Sequence, residues 1–503
     1  MKEIQHDYKF VLISLILFIF IFYSYEPDFG LLETIGGILS ILAGEPINAS
    51  FPITFYQSAY VDYRFNPPRL RIFTLNKCVK NNQFLLSDLH LNGNNSAPVR
   101  KKIYGKPLDG HCPSIYIPAS SCLYVPYTFS ITLKQNEDPK NVVLYFEMTK
   151  VIQYFQVTIF LGSGKVELNV QKIYKKSTEG ITVCLQPVYY FSQWQNIVLY
   201  IEAWRAQGAT RFIVYFHSAT KETWKTLEYY RDLGLIEIKS WPSFPSLPAD
   251  IADKYPKIDD SVFILSYFMA MNICILDIKT TIGTVADFDE VMVPTNGRLL
   301  DYATKEMMGT KVGALSFENH YISLTPKIYT SNFSRVASPK FQTFGKQTKY
   351  IFNASVLAIA QVHWPHSFVD SYFSWTRTKK VSFFQKLEVF FQMSSFQAEG
   401  ALLHFRYEPG VGNLETTEKP FRFFPDNPSI HIKNMEDTAQ NIFNGVMPKF
   451  SSKPYDALQK CVSKIIPVED KVCRSTSGIC RDEMDKVEDW VYDKSEPIFL
   501  VAS

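Results

Sequence analysis

The spacing of apolar and polar positions divides the chain before any single residue is weighed. Phe10 to Tyr25, FVLISLILFIFIFYSY, is a run of sixteen residues without a charge, preceded by Lys2 and Lys9 and followed by Glu26 and Asp28. Its length is close to the ~20 residues of a membrane-spanning helix and overlaps that of a secretory-signal core. Phe22 to Phe29 lacks the small-x-small pattern a signal peptidase prefers, which favours an uncleaved anchor. The organisation expected is a cytoplasmic tail at 1–9, a transmembrane signal anchor at 10–25, a stem at 26–46, and a luminal remainder. From 47 to 176, β-rich runs such as RLRIFTL, NVVLYFEM and VIQYFQVTIFLG alternate with Gly, Pro and Asn clusters, which predicts a β-rich module.

Near Gly180 the rhythm changes to short apolar strands alternating with helical stretches, the signature of an α/β layer with a mainly parallel sheet. ITVCLQP (181–187) reads as a strand. A helix capped by Ser192 and carrying Ile197, Tyr200, Ile201 and Trp204 on one face follows, ending at Gly208. RFIVYFH is the next strand; a helix from Thr220 to Leu233 is closed by Gly234, and Leu235 to Ser240 is a third strand. After a Pro-rich loop, Val262 to Ile278 looks helical and leads into a buried strand, Ile282 to Ala286, which ends at ADFDE. This α/β domain is expected over 180–410. Beyond it, 411–503 reads as a loop-rich, cysteine-containing tail.

Composition adds compartment rather than partner. Apolar residues make up 46% and aromatics 15%, a globular balance, and a net charge of +3 without a dense Lys/Arg block gives no nucleic-acid footprint. Sequons at Asn48, Asn94, Asn332 and Asn353, with Asn427 excluded by Pro428, fit a luminal address. The eight cysteines have no CxxC spacing, so disulfides are expected over zinc; Cys112 with Cys122 and Cys473 with Cys480 are close enough in sequence to close short loops, but connectivity stays open.

The candidate chemistry lies at Asp287 and Asp289. Ligands bind where strands of an open α/β sheet end. In an extended segment the two carboxylates would point the same way and Phe288 the other. Converging carboxylates need a cation, and hard oxygen donors suit Mg²⁺ or Mn²⁺ with positions left for diphosphate oxygens. Gly-x-Gly-x-x-Gly, P-loop, His-Glu-x-x-His and Gly-x-Ser-x-Gly motifs are all absent, which removes the main support for dinucleotide, P-loop, metalloprotease and serine-hydrolase readings.

The order of motifs over roughly 55–407 resembles the family 92 glycosyltransferases. It is carried by FYQSAYVDYR and RLRIF, by Cys184, Pro187, Trp194, Glu202, Gly208 and Tyr215, by Ala270 Met271 Asn272 Ile273 Cys274, by ADFDEVMVP, by Lys349 Tyr350 Ile351 leading to His363, and by Leu403 His404 Phe405 Arg406 Tyr407. The resemblance implies an α/β fold of the GT-A type: a Rossmann-type, mixed or mainly parallel sheet flanked by helices. It implies an inverting, metal-dependent transfer of a hexose, galactose from UDP-galactose, to a glycan or glycoprotein acceptor, in a Golgi or other secretory-pathway membrane with type II topology. Asp287 would contact ribose and metal and Asp289 would bind Mn²⁺ (or Mg²⁺), with His404 and His363 competing to complete the site. Arg406 or Lys349 would neutralise the diphosphate. For the base that takes the acceptor proton, Glu318 in SFENH comes first, ahead of Glu290 and Asp301. Ile273 in place of a frequent Asp, Asn353 and Ala354 in place of Arg-Pro, and Phe405 in place of Tyr put donor-site hydrogen bonds in doubt. They keep open a second reading: a weak or inactive member that binds glycans or scaffolds at the membrane.

Overall fold

Two large sheets carry the fold of the computed structural model, which describes residues 54–78, 86–91, 99–112, 114, 117–134, 137, 139, 141–152, 157–247, 252, 256–323, 333–337, 340–343, 347–369, 396–405, 421–449, 451–468 and 471–502. All of these fall in one unit, Pro52–Cys78 with Leu85–Ser503. The anchor expected at 10–25, the stem, the sequons at Asn48, Asn94 and Asn332, and Arg406 lie outside the described residues. Among those described, no helix is long and apolar enough to cross a membrane.

The strands in chain order are β1 (Thr54–Asp62), β2 (Arg69–Lys77), β3 (Leu86–Leu91), β4 (Val99–Pro107), β5 (Tyr124–Thr132), β6 (Asn141–Ile152) and β7 (Val157–Ile173) in the N-terminal half. They continue with β8 (Thr178–Val188), β9 (Ala209–Phe216), β10 (Ser218–Ala219), β11 (Ile236–Ser240), β12 (Thr280–Val285), β13 (Glu290–Pro294), β14 (Ala314–Ser323) and β15 (Lys340–Thr343). The last are β16 (Lys349–Asn353), β17 (Leu357–Ala360), β18 (Pro365–Phe368), β19 (Phe396–His404), β20 (Val491–Tyr492) and β21 (Leu500–Ala502). The first sheet runs β2-β5-β4-β3-β6-β7-β1-β21, so the last strand of the chain returns to pair with the first. The second runs β11-β9-β8-β12-β16-β14-β19-β13, with β15 on β14. β11, β9, β8 and β12 are parallel, whereas β16 is antiparallel to both neighbours and β13 is antiparallel to β19. The fold is therefore mixed α/β.

Strands of the second sheet are apolar on both faces because both are covered. Ile181, Val183, Leu185, Phe212 and Val214 point into a core shared with α1 (Trp194–Ala206), while Cys184, Ile213 and Tyr215 point to a second core shared with Phe55, Phe73 and α3 (Tyr267–Asp277). The helix α2 (Lys221–Asp232) starts at Thr220, whose side chain accepts the Thr223 N–H, as its sequence predicts. Two boundaries differ from expectation. The helix α1 begins after Gln193 without a side-chain cap, and α3 is shorter than 262–278 because Ile264, Leu265 and Ser266 take left-handed φ of 34°, 50° and 61°. A further helix, α4, covers Leu299–Met307.

The disulfide-containing C-terminal segment holds two helices among its loops, α5 (Pro428–Ile442) and α6 (Lys453–Ile465). Asn427, disqualified as a sequon by Pro428, caps α5 by accepting the Ser429 N–H. The short-loop cysteine pairs do not form. The pairs are Cys78–Cys112, Cys122–Cys473, Cys184–Cys274 and Cys461–Cys480, because sheet pairing and helix packing set which side chains meet, not nearness in sequence.

A buried charge cluster ties the first sheet to the segment that follows β16. Arg64 grips Asp62 through Nε at 2.8 Å and Nη2 at 2.7 Å, and its Nη1 donates to the carbonyls of Ala354 and Leu357, each at 2.9 Å. Arg71 adds a bond to the Ala358 carbonyl. Burial pushes the Asp62 carboxyl up, but the hydrogen bonds from Arg64 and the charges of Arg64 and Arg71 outweigh it and hold the group below the ordinary carboxylate value. Replacing Asp62 by Ala leaves two buried cations uncompensated and is expected to cost roughly 3–5 kcal/mol in denaturant unfolding. Because the folded-state pKa is depressed, this contribution is fully present above the unfolded value near 4 and is lost as pH falls through the folded one. The stability gap between wild type and Asp62→Ala should therefore narrow on acidification below about pH 4; a gap independent of pH would contradict the assignment.

Candidate functional site

The end of β12 and the start of β13 are joined by a turn in which the Glu290 N–H donates to the Asp287 carbonyl at 3.0 Å. The segment is not extended, so the alternation expected for Asp287 and Asp289 fails here. The turn gives each carboxylate its own basic partner instead. Two side chains of α1 fix the backbone around it: the Tyr200 hydroxyl donates to the Ala286 carbonyl at 3.1 Å and Trp204 Nε1 to the Glu290 carbonyl at 2.9 Å. Phe288 is buried against Phe191 and Tyr200.

Asp287 Oδ2 lies 3.5 Å from Lys349 Nζ, and Glu290 Oε2 lies 3.1 Å from the same ammonium. Glu290 Oε2 also accepts the Asp287 N–H at 3.0 Å, so this carboxylate clamps both the turn and the lysine. Burial alone would lower the Lys349 pKa, but Asp287 and Glu290 reverse the effect and hold it above the ordinary lysine value. The ammonium is thus committed to internal pairing.

Asp289 faces His404. Antiparallel pairing sets Glu290 opposite His404, and His404 Nε2 comes to 3.3 Å from Asp289 Oδ2. The ring stacks on Tyr321 at 4.8 Å, and Asn319 Nδ2 lies 3.3 Å from Nδ1. With the amide donating, Nδ1 accepts and Nε2–H donates to Asp289. Rotating the amide half a turn would bring Asn319 Oδ1, a buried atom with no hydrogen-bond partner, to Nδ1–H and release the Nε2 lone pair. A carboxylate oxygen and, once Nε2 is unprotonated, an imidazole nitrogen are donors that Mn²⁺ or Mg²⁺ would accept, and here they lie 3.3 Å apart. Among the described residues no group of three or more His, Cys, Asp or Glu side chains forms a cage, so the remaining positions would be left to substrate oxygens and water.

These groups line a cleft of about 500 Å³. His363 also lines it, with Nδ1 held 2.8 Å from the Thr348 carbonyl; burial and then the charge of Lys349 lower its pKa, keeping the ring neutral near pH 7. Glu318 is exposed on β14 and is not among the cleft residues. Its neighbour Asn319 is. Buried Leu315 and Phe317 set the face on which residue 319 falls, a parity signal legible in the sequence but outweighed there by the charge of Glu318. Asp301 is exposed beside Arg298 on α4, away from the cleft. Of the departures from the family pattern, only Phe405 lines the cleft; Ile273, Asn353 and Ala354 do not. Three groups that sequence reasoning missed are Asn319, the clamping role of Glu290, and the cleft wall supplied by α6, Arg474 and Thr476.

The family model described as glycosyltransferase family 92 matches residues 179–443. No curated protein matches the sequence. Solved structures with some likeness include glucosyl-3-phosphoglycerate synthase from Mycobacterium tuberculosis in complex with phosphoglyceric acid, at 12% identity over 54% of this chain and 81% of that one, TM-score 0.23. Others are the mannosyltransferase PcManGT from Pyrobaculum calidifontis in complex with GDP-Man and Mn²⁺, at 12% over 62% and 88%, TM-score 0.26, and S. aureus TarS in complex with UDP-GlcNAc, at 8% over 60% and 92%, TM-score 0.25. At TM-scores this low the likenesses assign neither fold nor function.

Replacing Lys349 by Met keeps the length of the side chain and strands Asp287 and Glu290 without their counter-charge. The expected cost is roughly 3–5 kcal/mol in denaturant unfolding, partly recovered by adding Glu290→Gln. Strictly additive effects of the two changes would show that the pair does not hold the turn.

Proposed function

Because the chain belongs to glycosyltransferase family 92, we propose that it is an inverting, metal-dependent hexosyltransferase that moves galactose from UDP-galactose to a glycan acceptor. The observation that carries the metal-dependent part is the Asp289–His404 pair at a strand end, aimed into a cleft of nucleotide-sugar size. Asp289 and His404 would hold Mn²⁺ or Mg²⁺, which when bound neutralises diphosphate charge and assists departure of the nucleotide. Asp287 and Glu290, locked by Lys349, keep the turn rigid, so that Asp289 is held for its partner. Asn319 orients the imidazole of His404. In the transfer, the bond from the anomeric carbon to the β-phosphate oxygen breaks with its electron pair leaving on UDP. The acceptor oxygen bonds the opposite face of that carbon and gives its proton to a base.

The compartment proposed is a Golgi or other secretory-pathway membrane, with the chain anchored through residues 10–25 and its catalytic part luminal. Support comes from the uncharged run, the sequons and the four disulfides, which persist in an oxidising lumen.

The full-length protein, assayed with UDP-sugars and a panel of glycan acceptors in Mn²⁺, should transfer hexose. Asp289→Ala and His404→Ala should each lower kcat/KM about a hundredfold or more and abolish the response to Mn²⁺ titration. Glycan binding without turnover, unchanged by Asp289→Ala, would replace this reading with that of a glycan-binding membrane protein.

A further inference from the structure

The proposed transfer needs a base for the acceptor proton, and the carboxylates expected for it lie off the cleft or are already bound. Glu318 and Asp301 do not line the cleft, and Glu290 holds both Lys349 and the Asp287 N–H. His363 is placed differently. It lines the cleft, and its Nδ1 lies 2.8 Å from the Thr348 carbonyl. A carbonyl oxygen only accepts hydrogen bonds, so Nδ1 carries the ring proton and Nε2 holds a lone pair. Among the described residues no group bonds Nε2, and that nitrogen is not sealed in the interior. With the Nδ1 edge turned to Thr348, the Nε2 edge is the one left open to the cleft.

The ring is also held in place. His363 sits at the tip of the β17–β18 hairpin, and the Thr348 hydroxyl donates back to its carbonyl at 2.8 Å. The tip closes through the Gln361 N–H on the Trp364 carbonyl at 3.0 Å, and the Tyr350 hydroxyl donates to the Gln361 carbonyl at 2.9 Å. A base fixed by such bonds needs little reorganisation when substrate arrives. Trp364 beside it is 39% exposed, so the tip reaches the open rim, where a second substrate can enter. Burial and then the charge of Lys349 lower the imidazole pKa, with His404 adding to the effect and the Thr348 bond and Glu290 opposing it. The ring is therefore neutral at pH 7 and free to accept a proton.

We infer that His363 is the general base of the transfer. Its Nε2 takes the proton of the acceptor hydroxyl as that oxygen bonds the anomeric carbon and the bond to the β-phosphate oxygen breaks, the electron pair leaving on UDP. The imidazolium formed keeps its Nδ1–H on the Thr348 carbonyl, and Nε2 returns the proton to solvent after product release. The inference rests on the transferase reading above. The metal-ligand role expected for His363 from the family resemblance would use the same lone pair, so the experiment must separate the two.

Full-length protein at saturating Mn²⁺ is given UDP-galactose and the glycan panel, and transfer is followed against pH. Wild-type kcat/KM should rise through an apparent pKa below about 6.5 and level off near neutrality. His363→Asn, whose amide can still donate to the Thr348 carbonyl, should lose this limb and lower kcat roughly a hundredfold to ten-thousandfold. UDP affinity and the Mn²⁺ midpoint should stay within about twofold. A fall in kcat that comes with a shifted Mn²⁺ midpoint would make His363 a metal ligand and overturn the inference, as would a limb that survives in the variant or a kcat within about threefold of wild type. Should His363→Asn fail to fold, ring-nitrogen NMR of the wild type decides: the Nδ1–H tautomer is expected, and the Nε2–H tautomer would overturn the inference. Wild type that transfers hexose to no panel glycan overturns the transferase reading and this inference with it, whereas active wild type with an equally active variant overturns the inference alone.

Discussion

The site depends on one buried ammonium. Lys349 Nζ lies 3.1 Å from Glu290 and 3.5 Å from Asp287, and without it three acidic residues within four positions would repel one another in a low-dielectric pocket. The ion pair does more than cancel charge. Glu290 also holds the Asp287 N–H, so the lysine fixes the turn through the carboxylate it neutralises. Asp289 is the member of the trio that the lysine does not hold, and it is the one that meets a histidine. On the proposed function, such a division of labour suits a site for a cation and a diphosphate, since the permanent pair would keep its geometry whether or not ligands are present.

That division also explains the sheet order. β16 carries Lys349 and lies next to β12, whose end carries the turn, while β14 and β19 bring Asn319 and His404 from the other direction. The antiparallel β13–β19 pair then sets Glu290 opposite His404. Glu290, Asn319, Lys349 and His404 are placed by the backbone hydrogen bonding of strands, and Asp287 and Asp289 by the short turn between two of them, which keeps the geometry precise.

Much of this was legible in the sequence, for definable reasons. The parallel strands announced themselves because both faces are covered and their apolar runs are nearly continuous, as in ITVCLQP and RFIVYF. Asp289 and His404 were legible as family motifs. The turn at 287–290 was not, since an i to i+3 backbone hydrogen bond leaves no mark in a motif that also fits an extended strand. Glu318 was favoured for its charge, although the burial of Leu315 and Phe317 sends Asn319 to the buried side. The Cys122–Cys473 bond and the return of β21 to β1 were unreadable because they are decided by contacts across hundreds of residues. The helical C-terminal wall was hidden behind a composition that reads as loop.

The strained turn before α3 shows what that wall contributes. Three consecutive non-glycine residues, Ile264, Leu265 and Ser266, take left-handed conformations, which is costly for a β-branched residue and costs of order 1–3 kcal/mol at each such position. Strain of that size persists only where the surroundings over-determine the backbone. Here Trp241 Nε1 donates to the Leu265 carbonyl at 2.8 Å and the Ile264 N–H donates to the Arg474 carbonyl. One restraint comes from the α/β core and the other from the C-terminal segment, itself stapled to the first sheet at Cys473. Phe263, Ile264 and Tyr267 line the cleft, so the shape of its wall rests on segments more than two hundred residues apart in sequence. The C-terminal segment is therefore part of the binding site in a mechanical sense even where it touches no ligand.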